Sequence, residues 1–351
     1  MRIRSASLTN HCNFNETRDG FQLGVGMRVA ITGGTGFVGG HLSRALLEQG
    51  HEVVIIARGK CGTSLSREVL ESPAVSFVCT GIDDEAALCD AFKGCEGVAH
   101  CAGINREIGT ETFESVHVQG TANVIRAAKS AGVKRIALVS FLRARPGSES
   151  AYLESKWSAE ELVRASRLEW TVVKPGMIFG QGDQMVDHLS RALYTFPIFA
   201  GLGPRRVRPL AVEDLVGVLV GALVDGTLGL KTVGVVGPTE LQFDDAARLV
   251  GLAIGKRRLF VRLPLSFHFA MAHIAERMMI VPLVSVAQVQ MLREGIVNAS
   301  NASDDLPNML TPTTMFDEST VKASLMEVSP IRLTDLRCYE ALFAKRVQRD
   351  H

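Results

Sequence analysis

The sequence predicts an α/β protein built on a Rossmann-type, doubly wound parallel sheet, with a smaller, mostly helical C-terminal region for a substrate or partner. Three observations support this prediction. Short apolar runs alternate with amphipathic helical patterns through the first half of the chain. A glycine-rich turn joins the first run to the first helix. The 351 residues are also enough to bury a sizeable core.

The glycine turn lies between a strand predicted over 28–32 and an amphipathic helix over 37–49 that Gly50 caps. A strand that leads through glycines into a helix aims free backbone N–H groups and the positive end of the helix at one point. Glycine leaves the backbone open to a pyrophosphate, so we predict a dinucleotide site here. The predicted contacts are Gly33, Thr35, Gly36, Phe37, Val38 and Gly39.

The second strand, over 52–57, is followed by Arg58 and Lys60. At this distance from the glycine turn, an acidic residue would bind the ribose 2′-hydroxyl of NAD and a basic one the 2′-phosphate of NADP. The two cations therefore predict NADP(H) in preference to NAD(H). The alternative is a solvated loop with incidental charge.

Four further strands follow, separated by helical patterns over 84–92 and 120–130. The predicted strands cover 75–78, 97–101, 136–140 and 171–177. This alternation implies a parallel sheet with helices on both faces. Ala102 and Gly103 end the fourth strand, where small residues let a nucleotide lie against the backbone, so both are predicted to bind the cofactor.

Tyr152 and Lys156 are four residues apart, which places them on one face of a helix. A nearby ammonium is expected to lower the phenol pKa and to hold the nicotinamide ribose. Such a phenol exchanges a proton with a carbonyl or an alcohol while the cofactor exchanges hydride. We predict both residues to be catalytic and to contact the cofactor, with Ser140 as a further catalytic candidate.

The chain resembles the short-chain dehydrogenase/reductase superfamily, in its extended or atypical branch related to NAD-dependent epimerases and dehydratases. The resemblance is carried by Thr32-Gly33-x-x-Gly36-x-x-Gly39, Cys101-Ala102-Gly103, Val139-Ser140, Tyr152-x-x-x-Lys156 with Glu160, and Lys174-Pro-Gly-Met-Ile-Phe-Gly180. It implies that the loop of Pro175 and Met177 faces the nicotinamide. It also implies a Ser or Thr on the substrate oxygen, yet Ser140 is followed by Phe141 and Leu142. The family's proton relay usually includes an Asn, and in this sequence its position falls near His117.

Further segments resemble the nucleotide-binding accessory subunit of respiratory complex I and its bacterial relatives. They are Ser148-x-x-Ala-Tyr-Leu-x-x-Lys156, Phe179-Gly-Gln-Gly-Asp183, Pro209-Leu-Ala-Val-x-Asp214 and Val236-Gly-Pro238. This resemblance implies a mainly structural NADPH-binding protein near quinone chemistry.

Composition narrows the classes of partner. The net charge of +1 provides no basic excess for nucleic acid. Seven cysteines without a Cys-x-x-Cys pair predict neither a disulfide framework nor a metal site. The first 26 residues lack an apolar signal sequence, so we expect a cytoplasmic protein.

The apolar stretch 259–292 is too interrupted to span a bilayer. Two interpretations stay open: a helix pair packed on its own domain, or a surface that meets a membrane or a respiratory complex at the inner face of the membrane. The expected apolar face comprises Phe267, Phe269, Met271, Ile274, Met278 and Met279.

The predicted organisation has four parts. Residues 1–26 form a disordered tail or follow a mis-assigned start. Residues 27–180 form the nucleotide-binding domain, and 208–237 return to its sheet. The C-terminal region comprises 181–207 and 238–330, and 331–351 form a terminal helix and tail.

Three functions fit the sequence. The first is an NADP(H)-binding atypical family member linked to quinone or respiratory chemistry, with weak or no turnover. The second is an active NADP-dependent oxidoreductase, epimerase or dehydratase that uses Tyr152 and Lys156 on a small molecule. The third is a nucleotide-sensing regulatory or assembly protein.

Overall fold

The computed structural model describes residues 26–59, 65, 67–279, 284–300, 303–325, 328, 330 and 331. Almost all of the predicted N-terminal tail, Lys60 and the predicted helix beyond residue 331 lie outside these residues.

Seven parallel strands form the central sheet, which confirms the predicted fold class. In chain order they are β1 (Arg28–Thr32), β2 (Glu52–Ala57), β3 (Val75–Cys79), β4 (Gly97–His100), β5 (Arg135–Val139), β6 (Glu169–Pro175) and β11 (Lys231–Val235). Their spatial order is β3-β2-β1-β4-β5-β6-β11. The order reverses between β1 and β4, and the carboxyl ends there open a crevice of the kind that binds nucleotides.

Helices cover both faces of this sheet. They are α1 (Phe37–Glu48), α2 (Arg67–Leu70), α3 (Glu85–Phe92), α4 (Gly120–Ser130), α5 (Ala151–Arg164) and α7 (Val212–Val220). Apolar side chains of α1 and α7 pack on one face, and those of α3, α4 and α5 on the other. A π-helical turn, Glu114–Gln119, leads into α4 and was not predicted.

The C-terminal region adds short strand pairs and further helices. The strands are β7 (Ile178–Phe179), β8 (Ile198–Gly201), β9 (Arg206–Val207), β10 (Leu210–Ala211), β12 (Leu241–Gln242) and β13 (Leu259–Arg262). The helices are α6 (Gln184–Thr195), α8 (Phe243–Ala253), α9 (Leu265–Met278), α10 (Val286–Glu294) and α11 (Glu318–Ser324). A separate apolar core forms where α6 and α8 pack together.

The described helices include none that combines the length and apolarity needed to cross a bilayer. Strand β11 does return to the sheet, beside β6, as predicted. Of the residues expected on an apolar face of 259–292, Met279 is buried and Phe269 is half-buried. Met279 belongs to the interior because it follows the end of α9, where the chain leaves the exposed helix face.

Candidate dinucleotide and catalytic site

The glycine turn is fixed by close contact with two neighbouring strand ends. Gly33 has a φ of +68°, and a Cβ on it would lie 2.8 Å from the backbone nitrogen of Ala102. A Cβ on Gly39 would lie 2.4 Å from the carbonyl oxygen of Gly33. Side chains at these two positions would therefore displace the backbone and separate α1 from the sheet.

The same turn leaves the N-terminus of α1 open. Gly36 is the N-cap and has no side chain to accept from the first turn. Gly40 is the first residue of α1 whose N–H donates an intrahelical hydrogen bond, to the backbone oxygen of Gly36 at 2.8 Å. The N–H groups of Phe37, Val38 and Gly39 are those that a helix leaves without an intrahelical acceptor. A cradle that no Cβ fills fits the pyrophosphate of a dinucleotide.

Arg58 is the first residue after β2 and its side chain is 68% exposed. It forms an ion pair with Glu111, which belongs to the loop after β4. The structure thus places a cation where the sequence predicts contact with a 2′-phosphate, and compensates it with a carboxylate. Its predicted companion Lys60 lies outside the described residues.

Gly103 marks the point where two functional side chains converge. A Cβ on Gly103 would lie 3.1 Å from Nζ of Lys156 and 3.5 Å from Nε2 of His117. The Lys156 ammonium donates to the carbonyl oxygen of Val139 at 3.3 Å. Burial lowers the pKa of Lys156 to about 8, which leaves it mostly cationic at neutral pH.

The Tyr152 ring is enclosed by three other rings and is 6% exposed. The ring centroids of Phe113, His117 and Phe141 lie 5.5, 5.6 and 5.7 Å from that of Tyr152. Burial raises the pKa of the phenol above its ordinary value, so the expected lowering by Lys156 is wrong. The cause is desolvation of the phenol by the surrounding side chains, while the Lys156 ammonium donates to the carbonyl oxygen of Val139. A phenol of this kind is a proton donor at neutral pH.

Among the described residues, none hydrogen-bonds the Tyr152 hydroxyl. It is therefore free to donate to an oxygen of a bound molecule.

His117 stands near the expected relay asparagine, and both of its ring nitrogens are engaged. Nε2 accepts from the backbone N–H of Ile104 at 3.2 Å, so the proton belongs on Nδ1, which donates to Ser155 at 2.9 Å. The Ser155 hydroxyl in turn donates to the carbonyl oxygen of Tyr152. Burial lowers the pKa of His117 to about 2, so the imidazole is neutral. His117 thus anchors α5 and has no spare nitrogen for proton transfer.

Ser140 is committed to a different cluster. Its hydroxyl donates to Glu160 at 2.5 Å, and Glu160 is fully buried between Arg164 and Lys174. Glu160 lies two helical turns beyond Tyr152 on α5. The structure therefore joins Ser140 to this ionic cluster, and its hydroxyl proton is directed to Glu160.

Pro175 and Met177 are held at the carboxyl edge of the sheet. The oxygen of Pro175 accepts from Leu142 at 2.9 Å, and that of Met177 accepts from Leu210 at 2.8 Å. Gly176, between them, donates to Val235 at 2.9 Å. The predicted cofactor-facing loop is thus fixed on three sides, next to the loop that follows Ser140.

Several contributors to the site were not predicted. Phe113 and Phe141 enclose Tyr152, and Glu111 pairs with Arg58, although no local pattern marks any of the three. The cluster around Glu160 did have a signal, because Lys156, Glu160 and Arg164 follow one another at four-residue spacing on a single helix face.

Comparisons with known proteins support nucleotide binding by this chain. A family model described as NAD(P)H-binding matches residues 33–191. An uncharacterised protein of Mycobacterium tuberculosis is 31% identical over 226 residues, or 64% of this chain. The chain spans only 23% of the length of that relative.

Two relatives with assigned names match over most of their length. The ceramide reductase of Caulobacter vibrioides is 32% identical over 67% of this chain and 73% of its own. The mitochondrial NADH-ubiquinone oxidoreductase 40 kDa subunit of Neurospora crassa is 23% identical over 76% of this chain and 70% of its own.

A solved structure shares the fold. UDP-glucuronic acid 4-epimerase from Bacillus cereus, in complex with NAD, superposes with a TM-score of 0.62 and 15% sequence identity. The match covers 85% of this chain and 97% of the epimerase.

Two of the buried histidines make the fold sensitive to acid. Burial lowers the pKa of His100 to about 3 and that of His117 to about 2. Below about pH 6.5 the unfolded chain takes up protons on both, whereas the folded protein does not, so the free energy of unfolding falls as the pH falls. Each histidine contributes about 1.4 kcal/mol per pH unit in this range.

We expect His117→Asn to reduce the pH dependence of the free energy of unfolding by about 1.4 kcal/mol per unit between about pH 6 and about pH 4. Urea denaturation across this range measures the slope. His273→Asn, at an exposed position of α9, is the control and should leave the slope unchanged. Equal slopes for the wild type and His117→Asn would contradict a neutral His117 in the folded protein.

Proposed function

Because the chain belongs to the extended, atypical short-chain dehydrogenase/reductase family of NAD(P)-binding proteins, we propose that it is an NADPH-dependent oxidoreductase that reduces a carbonyl group. The observation that carries this proposal is the protonated Tyr152 phenol, with its free hydroxyl, on the same helix face as the Lys156 ammonium. The likeness to a protein named ceramide reductase supports the direction of the reaction.

The residues divide the chemical work between them. The open N-terminus of α1 would bind the pyrophosphate of the cofactor, and Lys156, whose Nζ lies beside Gly103, would hold the ribose hydroxyls. The reduced nicotinamide, when bound, supplies the hydride. Tyr152 donates its proton to the substrate oxygen, and the adjacent ammonium stabilises the phenolate that remains. Without a Ser140 hydroxyl on the substrate oxygen, we expect slow turnover.

One side chain, Arg58, favours NADPH over NADH. The Arg58 guanidinium can exchange the Glu111 carboxylate for the 2′-phosphate, which is also an anion and accepts hydrogen bonds in the same fork geometry. Glu111 thereby competes with the 2′-phosphate for one cation. The preference comes from Arg58, and Glu111 limits its size.

We expect Arg58→Ala to weaken NADPH binding by about 1–3 kcal/mol and to leave NADH binding nearly unchanged, because only the 2′-phosphate loses its charged partner. Glu111→Gln should act in the opposite direction and tighten NADPH binding. Fluorescence titration of both nucleotides measures the effects. Arg126→Ala removes an exposed arginine paired with Glu85 and serves as the control. Equal losses for NADPH and NADH in Arg58→Ala would refute the preference.

A second candidate function is a structural or sensing role for bound NADPH near quinone chemistry. The tight enclosure of Tyr152 favours it, because it restricts access to the phenol. The hydrogen bond from Ser140 to Glu160 also favours it, because the Ser140 hydroxyl is then not available to a substrate oxygen. The likeness to the Neurospora 40 kDa subunit also supports it.

Turnover of NADPH separates the two candidates. For the reductase we expect Tyr152→Phe to slow NADPH oxidation by aldehydes, ketones or quinones by about 10²–10⁴-fold, because the proton donor is lost, while NADPH affinity stays unchanged. Stopped-flow absorbance and nucleotide titration provide the two measurements. If the wild type leaves NADPH unoxidised, or if Tyr152→Phe is as fast as the wild type, the structural role is favoured instead.

We further propose that α9 attaches the protein to the inner, anionic surface of a membrane. Phe267, Met271, Ile274 and Met278 recur at helical spacing and are between 41% and 56% exposed, so they form one apolar stripe. Residues 256–279 contain five basic residues and a single acidic one, Glu276. An exposed apolar stripe with a basic excess fits an anionic bilayer surface.

We expect the protein to sediment with vesicles rich in phosphatidylglycerol and not with vesicles of phosphatidylcholine alone. Charged substitutions on the stripe, Ile274→Glu and Met278→Glu, should abolish binding, since they place carboxylates in the bilayer interface. Ser266→Glu, about a quarter-turn or more away from the stripe, should retain it. Sedimentation that is identical for all variants would rule out attachment through α9.

A further inference from the structure

An arginine-rich cleft of about 290 Å³ lies between the loop after β5, the loop before β9 and the end of α10. Its walls carry four guanidinium groups, from Arg143, Arg205, Arg206 and Arg293, and one carboxylate, from Glu294. We call it the arginine cleft. The nucleotide cradle uses none of these residues.

Three carboxylates near the arginine cleft are already paired with guanidinium groups. Arg145 binds Glu294 through two hydrogen bonds of 2.6 and 2.8 Å, which lowers the Glu294 pKa. Arg206 pairs with Glu240 at 2.7 Å, and Arg293 pairs with the exposed Glu149 at 3.4 Å. Five guanidinium groups thus face three carboxylates, an excess of two positive charges.

Two of the arginines carry buried Nε groups that form no hydrogen bond. They are Arg205 and Arg143, and neither Nε has a hydrogen-bond partner among the described residues. Nε of Arg143 does form an ion pair with Glu294, 3.6 Å from its Oε2. No described carboxylate pairs with Arg205. A buried unpaired donor is costly, and a charged one more so, which indicates that the Nε–H group of Arg205 is positioned for an anion.

The cleft shares its loops with residues around the proposed catalytic site. Arg143 follows Phe141 by two residues, and the Phe141 ring is 5.7 Å from that of Tyr152. Ile296 stands between the wall residues Gly295 and Val297. Its Cγ2 atom would lie 3.6 Å from a Cβ on Gly176. A molecule in the cleft therefore rests on the same loops that hold Pro175.

We propose that the arginine cleft binds the phosphate group of the substrate, so that the carbonyl of the same molecule is presented to Tyr152. The inference rests on the proposed reductase function, because that function makes the bound molecule a substrate. Phosphate binding itself does not depend on turnover. A phosphate dianion matches the excess of two charges, and its oxygens accept from planar guanidinium forks in pairs. The volume leaves space beyond the phosphate for the adjoining carbon chain.

Calorimetric titration of the full-length protein with inorganic phosphate tests the site, with sodium chloride matching the ionic strength. We expect one saturable site whose affinity is unchanged by saturating NADP⁺, because NADP⁺ occupies the glycine cradle and leaves the arginine cleft free. Arg205→Gln and, independently, Arg143→Gln should each weaken phosphate binding by about tenfold or more. Arg126→Gln is the matched control and should bind phosphate as the wild type does.

NADPH titration of the same variants separates this inference from the proposed function. Unchanged NADPH affinity with weakened phosphate binding supports the cleft. Phosphate binding that NADP⁺ abolishes, or that is equal in the wild type and both cleft variants, overturns it even where NADPH binds normally. Failure of NADPH to bind overturns the proposed function and leaves the phosphate result to stand by itself.

A second arm identifies the source of the phosphate. Soluble n-butyl phosphate and vesicles containing phosphatidic acid are compared in the wild type and Arg205→Gln. Binding of butyl phosphate that depends on Arg205 assigns a small-molecule substrate. Arg205-dependent binding confined to the vesicles assigns a lipid headgroup, and an absence of any Arg205-dependent binding refutes the proposal.

Discussion

The close approach of the glycine turn to the carboxyl ends of β1 and β4 is the constraint on which the site depends. Gly33 and Gly39 permit it because a Cβ on either would meet backbone atoms at 2.8 Å or less. The N-terminus of α1 therefore lies at the point where the strand order reverses. Ala102 and Gly103 are brought to the same point by β4, and Gly103 in turn leaves space for Lys156.

The polar interior next to this turn is tied together by hydrogen bonds between distant elements. His100 on β4 accepts from Thr32 on β1 at 2.7 Å and donates to Thr121 on α4 at 3.0 Å. Thr121 donates to the backbone oxygen of His117, whose ring continues to Ser155 on α5. The sheet and two helices are thereby fixed by groups that are all neutral, so no uncompensated charge is buried along this path.

The departures from the family pattern have a common structural consequence. His117 and Ser140 stand where the family places groups that act on the substrate or relay its proton, and both instead bind α5. His117 reaches it through Ser155, and Ser140 through Glu160. Helix α5 is thus anchored from two sides, and the chemistry that we propose is left to Tyr152 and Lys156. This arrangement is compatible with slow reduction and with firm retention of a nucleotide.

The sequence alone determined which segments form the strands and helices of the sheet domain and their order along the chain. It could do so because the spacing of apolar residues and the positions of glycines are local properties. It also predicted a dinucleotide cofactor, since the glycine turn and the spacing of Tyr152 and Lys156 can be read within short segments. Predicted strand ends agree with the structure to within about two residues, the usual uncertainty of such boundaries.

Only the tertiary structure decided what these residues contact. Arg58 meets Glu111 from across the sheet edge, the Ser140 hydroxyl is claimed by Glu160, and rings from separate segments raise the Tyr152 pKa. The spacing of residues along the sequence fixes the face of a helix or strand on which a side chain lies. It does not fix which distant residue desolvates or neutralises that side chain. The arginine cleft, assembled from three separate segments, shows the same limit, because its charge excess exists only once those segments pack together.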